Sequence, residues 1–166
     1  MDPNTLAAIA LTGVGATATM DLWTLARRRL FGVAVPDYAL VGRWLAHMRH
    51  RRFRHASIAR ATPVRHEATI GWTAHYAIGV AYAALLPALW GAGWFQAPAP
   101  GPALAVGLGT VLAPFLLMQP GMGAGFAASR TPRPALARLH TLLNHGVFGL
   151  GLYLAACAAQ FTQGVL

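Results

Sequence analysis

The sequence predicts an all-α integral membrane protein, a four-helix bundle with an interfacial helix on its cytoplasmic side. The first observation is composition, since 56% of the 166 residues are hydrophobic and 10% are charged, whereas a soluble domain carries about 25% charged residues. The second is that four long apolar stretches alternate with polar loops. The third is the distribution of basic residues: all thirteen are Arg, ten lie in 27–65, and the other three lie in 130–138.

Each apolar stretch is long enough to cross a bilayer, because a spanning helix needs about 20 mostly apolar residues. The predicted spans are about 5–26, 69–90, 103–127 and 139–161. The first stretch has no basic residue before it and no convincing cleavage site, so it predicts a retained span and not a signal peptide. The whole chain, 1–166, is expected to form one domain.

The positions of the arginines predict the orientation of the chain in its membrane. Basic residues are retained in short loops on the cytoplasmic side, so the loops 27–68 and 128–138 are expected there. Both termini and 91–102 then face the outer side, which agrees with an even number of spans. Three aromatic residues at the predicted outer boundary have the position of an interfacial belt: Trp90, Trp94 and Phe95.

The long loop 27–68 contains a predicted amphipathic helix. Val35-Pro36-Asp37 has the pattern of a helix start, with Asp37 as the N-cap. Apolar residues then recur at i, i+3, i+4 and i+7, which is typical of a short helix lying on the inner leaflet. Packing of this helix under the bundle is the alternative. The apolar face comprises Val41, Trp44, Leu45 and Met48, and the polar face comprises Arg43, His47, His50 and Arg51.

A net charge of +9 would ordinarily suggest a nucleic-acid partner. Here the basic residues flank apolar spans, so membrane topology explains them and nucleic acid is not expected. Membrane lipids, and anionic headgroups in particular, are the expected partners of a cytoplasmic Arg-rich loop. The residues assigned to an anionic ligand or headgroup are Arg43, Arg51, Arg52 and Arg54.

Small residues are frequent within the predicted spans, and they let membrane helices approach closely. A compact bundle is expected, and self-association into a homo-oligomer or packing against partners in a membrane complex stays open. Pro114 and Pro120 predict a kink in span three, with the break at Gln119–Gly123. The single cysteine, Cys157, is interpreted as a small packing residue.

Polar side chains inside spans are costly, so each is a functional candidate. Asp21, His75, Gln119 and His145 fall at similar depths, roughly 8–15 Å inside the cytoplasmic boundary at about 1.5 Å per residue. Together with Asn144 they predict a polar, ligand-binding cavity that opens to the cytoplasm. The alternative is structural, with each group hydrogen-bonding a neighbouring helix at about 0.6 kcal/mol.

A metal site is the catalytic alternative. Asp21, His75 and His145 could bind zinc or another divalent metal ion and leave one position open for water. Glu67, at the inner mouth of span two, is then the candidate acid or base. No HxxxH or HExxH spacing supports the site, and four carboxylates in the chain are too few for a di-iron centre. Haem ligation by His75 and His145 has no further signal, so no cofactor is assigned.

Several segments are specific in combination and together cover nearly the whole chain: Met20–Trp23, Val41–Trp44 with His47-Met48, Phe53–Ile58, Gly71-Trp72 with His75-Tyr76, and Gln119–Pro132. With these segments the chain resembles a family of small bacterial inner-membrane proteins known as domain of unknown function 2938. The resemblance implies an intact four-span member of that family. It implies no activity, cofactor or catalytic residue, so the candidate sites depend on the residues alone.

The leading hypothesis is a small inner-membrane protein with a cytoplasm-facing polar cavity, either transporter-like or ligand- and lipid-binding. In it Asp21 and His75 supply a protonatable pair. The first alternative is a membrane-embedded, metal-dependent enzyme that uses Asp21, His75 and His145. The second is an accessory subunit of a larger membrane complex. All three hypotheses are compatible with the sequence.

Overall fold

The computed structural model describes residues 2–163, with side chains described as far as Gln160. Every regular element in this range is helical, which confirms the all-α prediction. The predicted domain limits of 1–166 and the predicted outward position of both termini involve Met1 and 164–166, which lie outside the described residues.

The α-helices follow one another along the chain, and the longest stretch between two of them is 49–66. Three helical stretches are long and apolar enough to cross a membrane, judged by length and composition: Pro3–Phe31, Pro100–Met122 and Pro134–Gln160. Shorter 3-10 turns occupy Ile58–Arg60, Ala92–Phe95 and Phe126–Ala128, and a π-helical turn occupies Pro114–Met118. The α-helices are α1 Pro3–Phe31, α2 Tyr38–Met48, α3 Glu67–Ala83, α4 Leu85–Trp90, α5 Pro100–Gly109, α6 Gln119–Met122 and α7 Pro134–Gln163.

The second predicted span, 69–90, is divided between α3 and α4. Pro87 has no amide hydrogen, and its ring opposes the carbonyl group of Ala83 four residues earlier. The helix therefore ends at Ala83 after 17 residues and resumes at Leu85. The predicted span over this stretch therefore consists of two helical segments, and Pro87 is the local signal for the interruption.

Side-chain caps fix where the first two helices begin. The Asp2 carboxylate accepts hydrogen bonds from the Thr5 amide at 2.9 Å and the Thr5 hydroxyl at 2.7 Å. Asp37 accepts from the Ala39 amide at 2.9 Å, which confirms it as the N-cap of α2. At the other end of α1, Gly32 adopts a left-handed conformation with φ of 65° and closes the helix.

The chain forms two compact units. Within the described residues, unit 1 comprises 2–35, 76–110 and 143–163, and unit 2 comprises 36–75 and 111–142. Unit 1 contains α1, the later part of α3, α4, α5 and the later part of α7. Unit 2 contains α2, the beginning of α3, the broken helix around Gln119, and the beginning of α7.

Small residues bring the helices of unit 1 close together. A Cβ atom added at Gly13 would lie 2.5 Å from the Val80 Cα, and one at Gly107 would lie 2.6 Å from the Gly149 amide nitrogen. One at Gly151 would lie 2.9 Å from the Ala16 Cα. The glycines of the spans are therefore used for packing between helices inside the chain, as expected for membrane helices.

The apolar core of unit 1 includes Leu86 and Leu152, which are fully buried, and Phe148. Trp94 also belongs to this core and is only 6% exposed. Its ring packs edge-on against Phe95, with the ring centroids 5.4 Å apart. The assignment of Trp94 to an interfacial aromatic belt was wrong, because the 3-10 turn after α4 carries it back into the core.

Unit 2 is organised around a close contact between α2 and the beginning of α3. A Cβ at Gly42 would clash with the carbonyl oxygen of Glu67, and one at Gly71 would clash with that of Tyr38. The predicted break in span three is confirmed, because α6 ends at Met122 and Gly123 takes a φ of 99°.

Candidate functional site

Asp21 lies within α1 and is half-buried. The Tyr76 hydroxyl of α3 donates a hydrogen bond to its carboxylate at 3.0 Å. One turn away along both helices, Gly79 packs directly against the Thr17 side chain. The two contacts run in opposite directions along α1 and α3, so these helices are antiparallel and the Asp21–Tyr76 pair is fixed by their packing.

His145, on α7, is held by α5. Its Nδ1 lies 3.1 Å from the Thr110 hydroxyl oxygen and 3.2 Å from the carbonyl oxygen of Gly107. Because the carbonyl can only accept, and the Thr110 hydroxyl donates to that same carbonyl at 2.8 Å, Nδ1 carries the hydrogen. In the neutral ring Nε2 is then an acceptor. Among the described residues Nε2 has no hydrogen-bond partner.

The helix pairing in unit 1 places these groups at one level. Helices α1 and α7 are antiparallel, since Gly15 packs on Ala155 and Ala16 packs on Gly151. Asp21 follows Ala16 by five residues and His145 precedes Gly151 by six, so each lies roughly 8–9 Å from that contact at about 1.5 Å per residue. We call Asp21, Tyr76, Thr110 and His145 the polar layer.

Asn144 adds a further acceptor beside His145 in the chain. Its side-chain oxygen is buried and has no hydrogen-bond partner within the part of the chain that the structure describes. Leaving such a group unpaired costs about 1–3 kcal/mol. Three of the five predicted cavity residues belong to unit 1: Asp21, Asn144 and His145.

The other two predicted cavity residues, His75 and Gln119, belong to unit 2. The His75 ring stacks on Tyr38, with centroids 4.0 Å apart. The Gln119 amide nitrogen donates to the Thr141 hydroxyl at 3.4 Å, while its side-chain oxygen is buried without a partner in the described residues. The single cavity formed by all five residues stays a prediction.

The metal alternative receives no support from the geometry. Across residues 2–163, no group of three or more His, Cys, Asp and Glu side chains is placed to hold a metal ion. His145 uses Nδ1 for Gly107 and Thr110, and His75 is stacked on Tyr38. Ligation by Asp21, His75 and His145 stays a hypothesis without a matching arrangement.

A family model described as "Protein of unknown function (DUF2938)" matches residues 10–159. The chain belongs to the DUF2938 family. This confirms the resemblance carried by its sequence segments. No curated protein and no solved structure matches the chain.

In this DUF2938 chain, Arg43 and Glu67 form a bidentate ion pair between α2 and α3. Arg43 Nε and Nη2 donate to the two carboxylate oxygens at 2.8 and 2.7 Å. Arg43 Nη1 donates to the carbonyl oxygens of Ile58, Ala59 and Ala61 at 3.1–3.3 Å. Each of the three nitrogen atoms of this guanidinium therefore has a hydrogen-bond acceptor inside the protein.

The pair gives both residues a structural role. Hydrogen bonds from Arg43, and then from the Val64 amide, lower the pKa of Glu67 to about 2, and Glu67 raises the pKa of Arg43. Glu67 is thus ionised and fully hydrogen-bonded at neutral pH, which does not suit the acid or base role predicted for it. Arg43 is only 8% exposed, which does not suit the headgroup role predicted for it. The same role for Arg51, Arg52 and Arg54 stays a prediction.

His47 is buried beside Arg43 on the same face of α2. Its Nε2 lies 3.1 Å from the carbonyl oxygen of Thr62, and its Nδ1 lies 2.8 Å from Nε2 of His55. Because the carbonyl accepts, Nε2 of His47 donates, and Nδ1 accepts from His55. Arg43 and His47 were predicted on the polar face of a helix that lies on the inner leaflet or packs under the bundle, and the structure turns both side chains toward the protein. Sequence analysis missed this because their partners lie 8 to 24 residues away.

Proposed function

We propose that this DUF2938 protein is a four-span protein of the bacterial inner membrane. Three stretches of sufficient length and hydropathy support it, and α3 with α4 would supply the fourth crossing over 69–90. The arginine distribution supports a cytoplasmic position for the loops 27–68 and 128–138. With an even number of crossings, both ends of the chain lie outside.

Within this topology we propose a transporter-like, ligand-binding role centred on the polar layer. The observation that carries it is an ionisable carboxylate inside a spanning helix, Asp21, which accepts a hydrogen bond from the hydroxyl of Tyr76. Ionisable groups at such depth mark ligand and proton pathways in membrane proteins. His145 lies at the same level on α7.

The chemistry of the layer favours a ligand that donates hydrogen bonds. Asp21 presents a carboxylate, and the neutral His145 ring presents the Nε2 lone pair. Next to the layer in sequence, Asn144 adds a buried side-chain oxygen without a hydrogen-bond partner in the described residues. A protonated amine supplies donors and a positive charge to such acceptors. The ligand class proposed for this layer is therefore a small ammonium compound. The anionic ligand suggested by the loop arginines is not assigned to it.

The test is ligand-induced thermal stabilisation of the protein in mild detergent. The probes are methylamine, ethanolamine and putrescine, with acetate and succinate as anionic comparisons. At least one amine is expected to raise the melting temperature of the wild type and neither acid to do so. Asp21→Asn and His145→Phe are expected to abolish that shift while keeping normal expression. Arg133→Gln, at an exposed position, is the matched control and should respond like the wild type.

Either of two results would contradict the proposal. No shift with any amine, or an equal shift in Asp21→Asn, would remove the polar layer as the binding site. Uptake of the stabilising amine into proteoliposomes then separates transport from binding alone. The enzyme and accessory-subunit alternatives stay hypotheses, and no contact in the described residues favours either of them.

A further inference from the structure

An exposed basic and aromatic segment follows α2. Its four residues, Arg51, Arg52, Phe53 and Arg54, are all exposed, and Phe53 shows 56% of its surface. We call 51–54 the basic-aromatic segment. A phenylalanine exposed between arginines forgoes the stabilisation of about 1.5–3 kcal/mol that burial would give it, so its position calls for a partner.

The backbone of the basic-aromatic segment is held in place. Arg51 takes a left-handed conformation with φ of 57°, which turns the chain away from α2. The Trp44 indole N–H donates to the carbonyl oxygen of Phe53 at 2.9 Å. The amide of His55 donates to the carbonyl oxygen of Gly121 at 2.9 Å. The side chains are therefore exposed on a backbone that is held by hydrogen bonds at Phe53 and, just after the segment, at His55.

The arginines of the segment have no acidic partner in unit 2. The acidic residues of that unit are Asp37 and Glu67, and each is occupied. Asp37 caps α2, and Glu67 binds Arg43 with both of its oxygens. Three positive charges and one aromatic ring are therefore exposed together. Arg43, on the preceding helix α2, does not join them because it is bound to Glu67.

This combination matches the surface of an anionic membrane. Guanidinium groups bind phosphate oxygens in bidentate geometry, and aromatic rings favour the boundary between headgroups and acyl chains. The chain carries three stretches able to cross a bilayer, so a lipid surface is always within reach of its loops. Four residues are too few for a stable protein interface, which takes about 20–30 residues a side.

We propose that the basic-aromatic segment docks on anionic phospholipid headgroups of the leaflet that faces the loop 27–68. The proposal rests on the proposed membrane topology and is independent of the polar layer and its ligand. Arg51, Arg52 and Arg54 contact phosphate, and Phe53 enters the interface between headgroups and acyl chains.

The experiment is native mass spectrometry of the delipidated protein in detergent. The protein is offered equal amounts of phosphatidylglycerol and phosphatidylcholine with the same acyl chains. Wild type is expected to retain phosphatidylglycerol on the order of a hundredfold better, since each of the three arginines near an anionic surface contributes on the order of a fivefold preference. The variant R51Q/R52Q/R54Q is expected to lose that preference. The control R60Q/R130Q/R133Q removes three other exposed arginines of the same unit and should keep it.

Two further variants separate the parts of the proposal. Phe53→Ala is expected to weaken retention of both lipids and Phe53→Trp to restore it, because the ring acts on the interface and not on headgroup charge. Asp21→Asn should leave lipid preference unchanged, so that failure of the ligand-binding proposal and failure of this one remain distinguishable.

Several outcomes would overturn lipid docking at this segment. Equal loss in the two triple variants would mean that net charge acts without a site. Displacement of the lipid by inorganic phosphate at millimolar concentration would assign the arginines to a free anion. Tighter binding of a short RNA or an acidic peptide than of phosphatidylglycerol vesicles would assign them to a soluble macromolecule.

Discussion

The guanidinium of Arg43 joins three parts of the chain through a single side chain. Two of its nitrogens bind the Glu67 carboxylate at the start of α3, at 2.8 and 2.7 Å. The third binds the carbonyl oxygens of Ile58, Ala59 and Ala61. Because α2 supplies the arginine, this residue determines how the loop 49–66 is folded between the two helices.

Replacing Arg43 with Ala should destabilise the protein by about 3–5 kcal/mol, because the Glu67 carboxylate and three carbonyl groups lose their donor. The measurement is thermal unfolding in detergent. Arg54→Ala, at an exposed position, should change stability by less than about 0.5 kcal/mol. The double variant Arg43→Met/Glu67→Met should be more stable than Arg43→Met alone, since no unpaired charge remains. Additive losses would argue against a coupled pair.

Acid should weaken the fold through Glu67. The pKa of Glu67 is lowered from 4.5 to about 2 in the folded protein, so its contribution is fully present above pH 4.5. That contribution is lost as the pH falls toward about 2, because the unfolded chain takes up the proton first. Unfolding followed from pH 6 to pH 2 should show this loss in the wild type. Glu67→Gln should be less stable at pH 6 and show a smaller decline over the same window.

Adding one methyl group at Gly42 should be strongly destabilising. Its Cβ would clash with the carbonyl oxygen of Glu67, which is backbone and cannot rotate away, so we expect a loss of about 1–3 kcal/mol or more. The matched control is Gly109→Ala, where nothing lies within 4 Å of the added atom. That change should be neutral or stabilising by up to about 1 kcal/mol. Similar melting temperatures for the two variants would contradict the close contact between α2 and α3.

The hydrogen-bonded pair His47–His55 should control access of proteases to the loop 49–66. His47→Ala removes hydrogen bonds to His55 and Thr62, each contributing about 0.5–1.5 kcal/mol. Trypsin should then cleave after Arg54 or Arg60 about tenfold faster. His50→Ala is the control, since His50 lies two residues after the end of α2 and is exposed. Unchanged cleavage in His47→Ala would show that the loop is held by Arg43 and the backbone contacts instead.

The features that sequence analysis predicted correctly depend on local physics. Asp37 caps α2 because its carboxylate is within reach of the first amide groups of the helix, which have no partner inside the helix. The break after Met122 follows from proline and glycine in adjacent positions, which remove a donor and permit a positive φ. The apolar length of the first, third and fourth stretches likewise needs no knowledge of tertiary contacts.

The features that it missed depend on distant partners. Arg43 has the pattern of an exposed arginine on an amphipathic helix, and only the position of Glu67, 24 residues later, explains its burial. Trp94 has the pattern of an interfacial aromatic until the turn after Gly91 returns it to the core of unit 1. The acceptor state of His145 depends on a carbonyl of α5, which no periodicity of α7 reveals.

The separation of 24 residues between Arg43 and Glu67 also sets the order in which the two side chains are synthesised. During synthesis Arg43 emerges well before Glu67, so at that stage it is an unpaired positive charge beside the first span. In the proposed topology the insertion machinery would count this charge when orientation is decided. Once Glu67 has been synthesised, the same guanidinium binds its carboxylate and closes the loop. One side chain would then serve first as an orientation signal and later as a structural ion pair.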